Sequence, residues 1–303
     1  MIETYPQPLP HGITLSCRSA GARGRPVLLF LHGFPEAAFV WDFLLQHFSR
    51  AENGGYRCVA PNLRGFEHSS APVEVNAYRP RHLVQDIAAL IAIEAQDQGG
   101  QLAALVAHDW GGALAWNLAN QLPHLIEQLV IINSPHPGTF LRELKINPAQ
   151  QAASAYMNFL IRPDAEQLLA QDDYRRLWAF LTHTKDGFQA PDWLTDEVKA
   201  QYRAVWDAGL RGGCNLYRAS PLRPPRAQDP AAAAVDLPHA MLSVALPTLV
   251  IWGLDDIALP PVLLDGLANY VAHLRIETVS DASHWVVHEQ PHRVAQLIAS
   301  FLQ

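Results

Sequence analysis

Short apolar runs alternate with segments of helical periodicity along the first part of the chain. Continuous apolar runs are typical of strands buried on both faces, and apolar positions three and four residues apart are typical of helices. The predicted strands are residues 13–19, 26–31, 56–60, 102–106 and 126–132. The predicted helices between them are residues 39–48, 82–94 and 113–122. This alternation predicts an α/β fold, a mostly parallel sheet with helices on both faces.

The alternation breaks after residue 137 and resumes after residue 238. The intervening segment contains mostly helix-like stretches, at residues 149–161, 165–171, 174–182 and 195–210, and then a proline-rich connection. Beyond it the pattern predicts a strand at 246–252, a helix at 261–271, a strand at 275–279 and a last helix at 292–302. A helical block inserted into one sheet predicts a lid. We therefore expect a core domain of residues 1–137 and 239–303 and a helical cap of residues 138–238.

The segment from Leu102 to Gly112 predicts a sharp turn from a strand into a helix, with Asp109 at its centre. Such an elbow leaves its central side chain exposed at the carboxyl edge of the sheet. Ala107 and Gly111 flank the centre, and small residues are needed there because backbone crowds backbone. A carboxylate in this place indicates attack on a saturated carbon, which gives an ester that must then be hydrolysed.

Two further ionisable residues follow predicted strands. Asp256 comes after the strand at 246–252, and His284 comes after the strand at 275–279. Nucleophile, acid and histidine in this chain order is the arrangement of the α/β-hydrolase fold, whose sites lie at the carboxyl ends of the strands. Asp255 is the alternative residue for orienting the histidine. Alone, an Asp before a helix is usually a cap and a single His is usually structural, but the three in order favour catalysis.

A loop after the strand at 26–31 adds a fourth component. In His32-Gly-Phe-Pro35, the backbone N–H of Phe34 can point at the nucleophile. Together with the N–H of Trp110 it would give two donors for a developing oxyanion. The alternative is that Gly33 and Pro35 only shape a turn.

Composition and charge narrow the class of protein. The 303 residues are 49% hydrophobic and 17% charged, which is enough for a sizeable core. The net charge of −7, without a dense basic run, argues against a nucleic-acid partner. Three scattered cysteines fit neither a disulfide framework nor a zinc site. No secretory signal and no bilayer-spanning apolar run is visible, so we expect no membrane partner and a cytoplasmic location.

Three segments together resemble the epoxide hydrolase branch of the α/β-hydrolase superfamily. They are His32-Gly-Phe-Pro-Glu36, His108-Asp-Trp-Gly-Gly112 and His284-Trp285. The resemblance spans nearly the whole chain and is weakest in the predicted cap. It implies an epoxide hydrolase without cofactor or metal, which converts an epoxide into a vicinal diol through a covalent hydroxyalkyl ester on the nucleophile.

The resemblance also implies two catalytic tyrosines in the cap. Asn215-Leu-Tyr-Arg-Ala219 is similar to the Asn-Trp-Tyr-Arg segment of epoxide hydrolases, which places Tyr217 over Asp109. Tyr156, on the predicted helix after Pro148, matches the second cap tyrosine of that family. Two phenols can polarise the epoxide C–O bond and protonate the emerging alkoxide. The alternative for each is an aromatic side chain that only packs the lid.

Haloalkane and haloacid dehalogenases use the same Asp nucleophile and are the alternative function. Fluoroacetate dehalogenases carry a His-Trp pair where this chain has Tyr156-Met157, and arginines where it has Trp110 and Ala113. Haloalkane dehalogenases usually carry a polar residue at the position of Phe34. A ligand-binding protein on a hydrolase scaffold is a further alternative, which the presence of all three triad residues disfavours. An esterase side reaction is ill suited to a carboxylate nucleophile.

Several positions depart from the family pattern or invite another interpretation. Asn62 and Glu67 replace an Asp and a Gly in a loop that normally reads Asp-x-Arg-Gly-x-Gly-x-Ser, which puts the loop's conformation in doubt. Leu216 replaces the cap Trp and could widen the cavity. His284 and His288 are four residues apart, as in some zinc sites, but no third ligand presents itself, so we predict no metal.

We expect a small hydrophobic epoxide and water as the partners, and we expect the protein to be a monomer or a homodimer. Apolar side chains of the predicted cap are candidates for lining the substrate cavity, although the same residues could belong to the core. They are Met157, Phe159, Trp178, Phe180 and Trp206.

Overall fold

The computed structural model describes residues 1–227 and 229–303, and its centre is an eight-stranded sheet. The strands are β1 Glu3–Pro8, β2 Thr14–Ala20, β3 Val27–Leu31, β4 Arg57–Pro61, β5 Leu102–His108, β6 Ile126–Ile132, β7 His183–Thr184, β8 Gly187–Phe188, β9 Val244–Gly253 and β10 Val271–Val279. Their order in the sheet is β1-β2-β4-β3-β5-β6-β9-β10, and β7 and β8 form a separate hairpin. All pairs from β4 to β10 are parallel, whereas β2 is antiparallel to β1 and to β4. The predicted α/β class is confirmed.

Helices occupy most of the chain between the strands. They are α1 Asp42–Phe48, α2 Pro80–Glu94, α3 Asp109–Gln121, α4 Pro137–Ile146, α5 Pro148–Ala153, α6 Tyr156–Leu160, α7 Ala165–Thr182, α8 Asp196–Ala208, α9 Arg211–Ala219, α10 Pro230–Ala233, α11 Val286–Glu289 and α12 Pro291–Leu302. Helices α4 to α10 all lie between β6 and β9 in the chain, in the segment that the sequence predicts to be helical.

The central strands of the sheet are buried on both faces, as their continuous apolar runs predict. All five residues of β3 are buried. Because successive side chains of a strand point to opposite faces, Phe30 packs into one core with α1 and α12. Leu29 and Leu31 pack into the other core, with α2 and α3. Helices on both faces therefore fix the carboxyl edge of the sheet from either side.

Several parts of the secondary structure differ from the sequence prediction. The helix expected at 261–271 is wrong, because two 3-10 turns, Pro261–Leu264 and Leu267–Asn269, flank Gly266 at φ 74° and β10 then begins at Val271. Strand β1 was not predicted because it is an exposed edge strand containing prolines. Helices α4 and α9 were not predicted either; the first turn of α9 contains two glycines, which have low helix propensity. The single helix expected at 149–161 is two helices, α5 and α6.

The loop at 62–69 keeps an unusual backbone without the family's glycine. Glu67 adopts φ 47°, a left-handed conformation in which glycine is usually found. Asn62 donates a hydrogen bond to the Glu67 carboxylate and accepts one from the backbone N–H of Ala38 at 2.7 Å. The two departures from the family pattern therefore stabilise each other.

Over the ranges 1–227 and 229–303, no helix is long and apolar enough to cross a bilayer.

Candidate active site

Asp109 lies at the junction of β5 and α3 with a left-handed backbone, φ 49°. Helix α3 begins at Asp109 itself, four residues earlier than the sequence predicts. A Cβ on Gly111 would overlap the carbonyl oxygen of Leu31, and one on Gly112 would overlap Ser134. Two glycines are therefore required for the sharp turn, which presents the carboxylate at the carboxyl edge of the sheet.

The loop after β3 holds one oxygen of the Asp109 carboxylate. The backbone N–H of Phe34 donates to Asp109 Oδ1 at 2.8 Å. A Cβ on Gly33 would overlap this carboxylate, so glycine allows the loop to approach so closely. Trp110, the second predicted donor, occupies the first turn of α3. Its proposed role in oxyanion binding stays a prediction.

His284 lies between the two carboxylates that the sequence singles out. Its Nδ1 is 2.7 Å from Asp256 Oδ2, and its Nε2 is 3.7 Å from Asp109 Oδ2. Asp255 does not lie at this position; its Oδ1 accepts a hydrogen bond from Lys185 at 2.8 Å. The structure thus brings Asp109, Asp256 and His284 together and leaves Asp255 outside the group.

The electrostatic environment favours the protonated form of His284 when the substrate is absent. Burial alone would lower the pKa of His284, but the adjacent Asp256 carboxylate, assisted by Asp109 and Glu36, raises it to about 9. Loss of the negative charge of Asp109 would remove one of these contributions. A reaction that converts Asp109 to a neutral ester would therefore make His284 a readier proton acceptor at that stage.

Tyr156 and Tyr217 both border the nucleophile. Tyr156 begins α6 rather than continuing the helix after Pro148, and Tyr217 lies in α9. Their ring centroids are 6.1 Å apart, and the Tyr217 ring also packs edge-on against Trp110, at 4.9 Å. Burial, reinforced by nearby charge including that of Asp109, raises the pKa of both phenols, so both carry their protons near neutral pH.

Two cavities meet at the nucleophile, and Asp109, Tyr156 and Tyr217 form part of the wall of both. Cavity I, of about 550 Å³, is further lined by residues that include Phe34, Phe180, Lys185, Asp256, His284 and Trp285. Cavity II, of about 560 Å³, is further lined by residues that include Leu83, Trp116, Phe140, Met157, Leu216 and Leu242. Asp109 is thus accessible from two sides.

Three of the apolar side chains proposed as cavity liners pack elsewhere. Phe180 lines cavity I and Met157 lines cavity II. Trp178 and Trp206 instead pack edge-on against each other, with ring centroids 4.4 Å apart, and Phe159 lines neither cavity. The Trp206 indole donates to the carbonyl oxygen of Pro35 at 2.8 Å, which ties α8 to the loop after β3.

A buried polar network behind the site was not recognised in the sequence. His108 contacts Glu36 Oε2 through Nδ1 and the carbonyl oxygen of His284 through Nε2, both at 2.9 Å. Tyr202 donates to Glu36 Oε1 at 3.2 Å. Burial would raise the pKa of Glu36, but His108 and His288 hold it well below its usual value. Glu36 and His108 belong to the motifs at residues 32–36 and 108–112, and this position in the motifs is the signal that could have identified them.

His284 and His288, considered above as a zinc pair, have different partners. His288 lies 3.3 Å from Glu36 and 2.9 Å from the Tyr202 hydroxyl, while His284 contacts Asp256. In the part of the chain that the structure describes, no three His, Cys, Asp or Glu side chains are grouped as metal ligands.

Asn133 and Ser134 are the other site residues that the sequence reasoning missed. Asn133 donates to Asp256 Oδ2 at 2.8 Å, and the Ser134 hydroxyl donates to the backbone carbonyl of Asp109 at 2.6 Å. Both follow β6, the strand next to β5, so the rule that sites collect at carboxyl ends of strands could have identified them.

Comparisons with known proteins agree on one family. The alpha/beta hydrolase fold family matches residues 26–291. The chain is 33% identical to Epoxide hydrolase 3 of Xenopus tropicalis, over 96% of this chain and 75% of that protein. A solved structure from a study of novel epoxide hydrolases in metagenomes from hot environments shares 36% identity and a TM-score of 0.83, covering 100% of this chain and 99% of that one. The Bacillus megaterium epoxide hydrolase, solved with an inhibitor, shares 28% identity and a TM-score of 0.83, covering 98% and 99%.

Proposed function

The chain belongs to the epoxide hydrolase branch of the alpha/beta hydrolase family, and on this premise we propose that it converts epoxides into vicinal diols with Asp109 as nucleophile. The observation that carries the proposal is the single cluster in which Asp109 faces His284 on one side and two protonated phenols on the other. The reaction requires no cofactor, because nucleophile, acid and base are side chains of this chain.

In the first step, Asp109 Oδ2 attacks an epoxide carbon. Oδ1 is held by the N–H of Phe34, so Oδ2 is the oxygen that is free to form the new C–O bond. The old C–O bond breaks, and its electrons pass to the ring oxygen. Tyr156 and Tyr217 donate hydrogen bonds to that oxygen, and one of them transfers a proton to it. A free phenol is a stronger acid than an alcohol, and conversion of Asp109 to a neutral ester removes a charge that raises the pKa of both phenols. The phenolate then regains a proton from solvent.

In the second step, His284 takes a proton from a water that attacks the ester carbonyl of Asp109. Asp256 orients the imidazole through its 2.7 Å contact with Nδ1, which leaves Nε2 facing the ester. The tetrahedral oxyanion forms on Oδ1, where the N–H groups of Phe34 and Trp110 stabilise it. The intermediate then collapses, the bond from the Asp109 carboxyl carbon to Oδ2 breaks, and His284 returns its proton to the departing alkoxide, which leaves as the diol. The new Asp109 carboxyl group releases its remaining proton to solvent, which balances the proton that the phenolate took up in the first step.

The walls of the two cavities support a predominantly hydrophobic substrate. An epoxide held between Asp109 and the two tyrosines has space for substituents on either side, in cavity I and cavity II. Residues 138–238 supply both tyrosines and many of the walls, which supports their role as a cap over the site. Small hydrophobic epoxides are accordingly the proposed substrates, with water as the second reactant.

The dehalogenase alternative is not favoured. A halide leaves without needing a proton, so the two buried phenols beside Asp109 would have no function in that reaction. The side chains named above for dehalogenases are also missing, since Phe34, Ala113 and the Tyr156-Met157 pair stand in their places, while Trp110 is compatible with either activity.

Single-turnover hydrolysis in ¹⁸O-labelled water tests the proposal. With enzyme in excess over an aryl epoxide such as styrene oxide, the heavy oxygen should enter the Asp109 carboxylate and not the diol, because water attacks the ester carbonyl. Peptide mass spectrometry locates the label. Label in the diol after one turnover would mean that water attacks the epoxide directly, and halide release from haloalkanes without epoxide turnover would favour the alternative.

A further inference from the structure

Two adjacent residues at the end of β6 each contact a different carboxylate residue of the site. The Asn133 amide donates to Asp256 Oδ2 at 2.8 Å, and the Ser134 hydroxyl donates to the backbone carbonyl of Asp109 at 2.6 Å. Both residues are fully buried. In the sheet, β6 lies between β5, which ends in Asp109, and β9, which leads to Asp256.

The backbone at Asn133 makes the two opposite contacts possible. Its φ of 37° lies in the left-handed region, which Asn tolerates better than most residues. Its N–H donates to the carbonyl oxygen of Ile251 at 3.1 Å, and its side-chain Oδ1 accepts from the N–H of Gly253 at 2.8 Å. Asn133 is therefore bonded to the end of β9 by backbone and side chain, which leaves Ser134 facing β5.

The remaining partners of Asp256 show what the amide adds. Asp256 Oδ1 accepts from the N–H groups of Ala258 and Leu259, whereas Oδ2 accepts from Asn133 and contacts His284 Nδ1. The amide of Asn133 thus fixes the one carboxylate oxygen that orients the imidazole. Without it, Oδ2 would have His284 as its remaining side-chain partner.

We propose that Asn133 and Ser134 are positioning residues that set the two carboxylates of the site relative to each other, Asn133 through Asp256 and Ser134 through Asp109. The inference rests on the proposed function and assigns the two residues to different steps. Asn133 acts through His284 on ester hydrolysis. Ser134 acts on ester formation, since it holds the backbone of the attacking residue.

Rapid-quench kinetics with styrene oxide, read by intact-protein mass, separates the two steps. In Asn133→Gly, which keeps a residue suited to positive φ, ester hydrolysis should slow by about ten- to a hundredfold, the effect of losing a hydrogen bond to a charged group. The ester should then accumulate, so that kcat and KM fall together. In Ser134→Ala, ester formation should slow instead, kcat/KM should fall, and no ester should accumulate.

Asn120→Ala is the matched control for lost stability. Asn120 donates to the carbonyl oxygens of Ala240 and Ser243 from the far end of α3, so this variant loses two long-range hydrogen bonds that lie outside the site. Asn120→Ala should lower the thermal midpoint of unfolding without changing the ratio of the rates of ester formation and ester hydrolysis. Equal slowing of both steps in Asn133→Gly, or no slowing at all, overturns the proposal.

A substrate-free measurement separates this inference from the proposed function. NMR titration of the free protein measures the pKa of His284, which the adjacent Asp256 carboxylate raises. In Asn133→Gly the pKa should fall as Asp256 Oδ2 loses its fixed position, whereas in Ser134→Ala it should stay unchanged. An unchanged His284 pKa in Asn133→Gly contradicts the inference even if the parent protein turns over no epoxide.

Discussion

Gly65 and Gly212 make a backbone-to-backbone contact between the loop after β4 and the first turn of α9. A Cβ on Gly65 would lie 2.5 Å from the Cα of Gly212, and a Cβ on Gly212 would overlap the carbonyl oxygen of Gly65. The next residue, Gly213, lies against the side-chain ring of Phe34, where an added Cβ would overlap the ring. Helix α9 carries Tyr217, so this contact sets the distance between the phenol and the nucleophile.

Gly212→Ala should lower activity through Tyr217. The added Cβ must push α9 away from the loop, because backbone atoms on both sides cannot yield as a flexible side chain would. We expect about 1–3 kcal/mol of lost stability, the usual cost of overpacking, and slower ester formation measured by stopped flow. Gly209→Ala is the control, since Gly209 has a positive φ of 133° and open space around it. That variant should lose stability without slowing ester formation; equal slowing in both would contradict the link to Tyr217.

The sequence predicts those parts of the fold that depend on a local pattern. The apolar run from Val27 to Leu31 predicts a strand because a strand that is buried on both faces consists of continuous apolar residues. The small residues around Asp109 predict the elbow. The apolar content of residues 261–271 suits a helix, so the sequence predicts one there. Gly266 at φ 74° and the pairing of Val271 with Val244 prevent a continuous helix from forming. Local patterns do not contain such long-range pairing.

The site follows the same division. Asp109, Asp256 and His284 each stand just after a strand, so their order along the chain was informative. Asn133 also stands just after a strand, but its contact with Asp256 depends on the neighbouring strand β9 and on a backbone angle, which the local sequence pattern does not contain. Tyr156 and Tyr217 could be named only through resemblance, since the path of the cap over the core depends on contacts such as Gly65 with Gly212.

Tyr217→Phe and Tyr156→Phe should each slow ester formation. Each variant removes one hydrogen-bond donor to the ring oxygen while keeping the aromatic ring and its packing against neighbours such as Trp110. We expect a loss of about 10²- to 10³-fold for the donor that also transfers the proton, the range found for a lost oxyanion donor, and a smaller loss for the other. Single-turnover fluorescence measures the step, and Tyr174→Phe, which alters a phenol outside the two cavities that donates to Asp207, serves as the comparison. A double Phe variant with unimpaired ester formation would remove the tyrosines from the mechanism.

His284→Gln should stop the reaction after the first step. Asp109 can still attack the epoxide, but no group remains at 3.7 Å from its Oδ2 to take the proton of the attacking water. Intact-protein mass spectrometry should therefore find an adduct equal to the mass of the epoxide, with little diol formed. Asp109→Asn in parallel should give neither adduct nor diol. An adduct that appears equally in Asp109→Asn would place the ester on a different residue.

Asp256→Asn should change how stability depends on pH. The folded-state pKa of His284 is about 9, above the ordinary 6.5, so the stabilising contribution is fully present below about pH 6.5 and is lost as the pH rises through about 9. At 1.36 kcal/mol for each pKa unit, this amounts to roughly 3 kcal/mol at most. Asp256→Asn removes the charge that raises the pKa, so burial should then keep His284 neutral and abolish the decline. Urea unfolding at several pH values measures this decline in the free energy of unfolding. Asp255→Asn is the control, because Asp255 pairs with Lys185 and does not contact His284. A decline of equal size in the Asp256→Asn protein would assign it to another group.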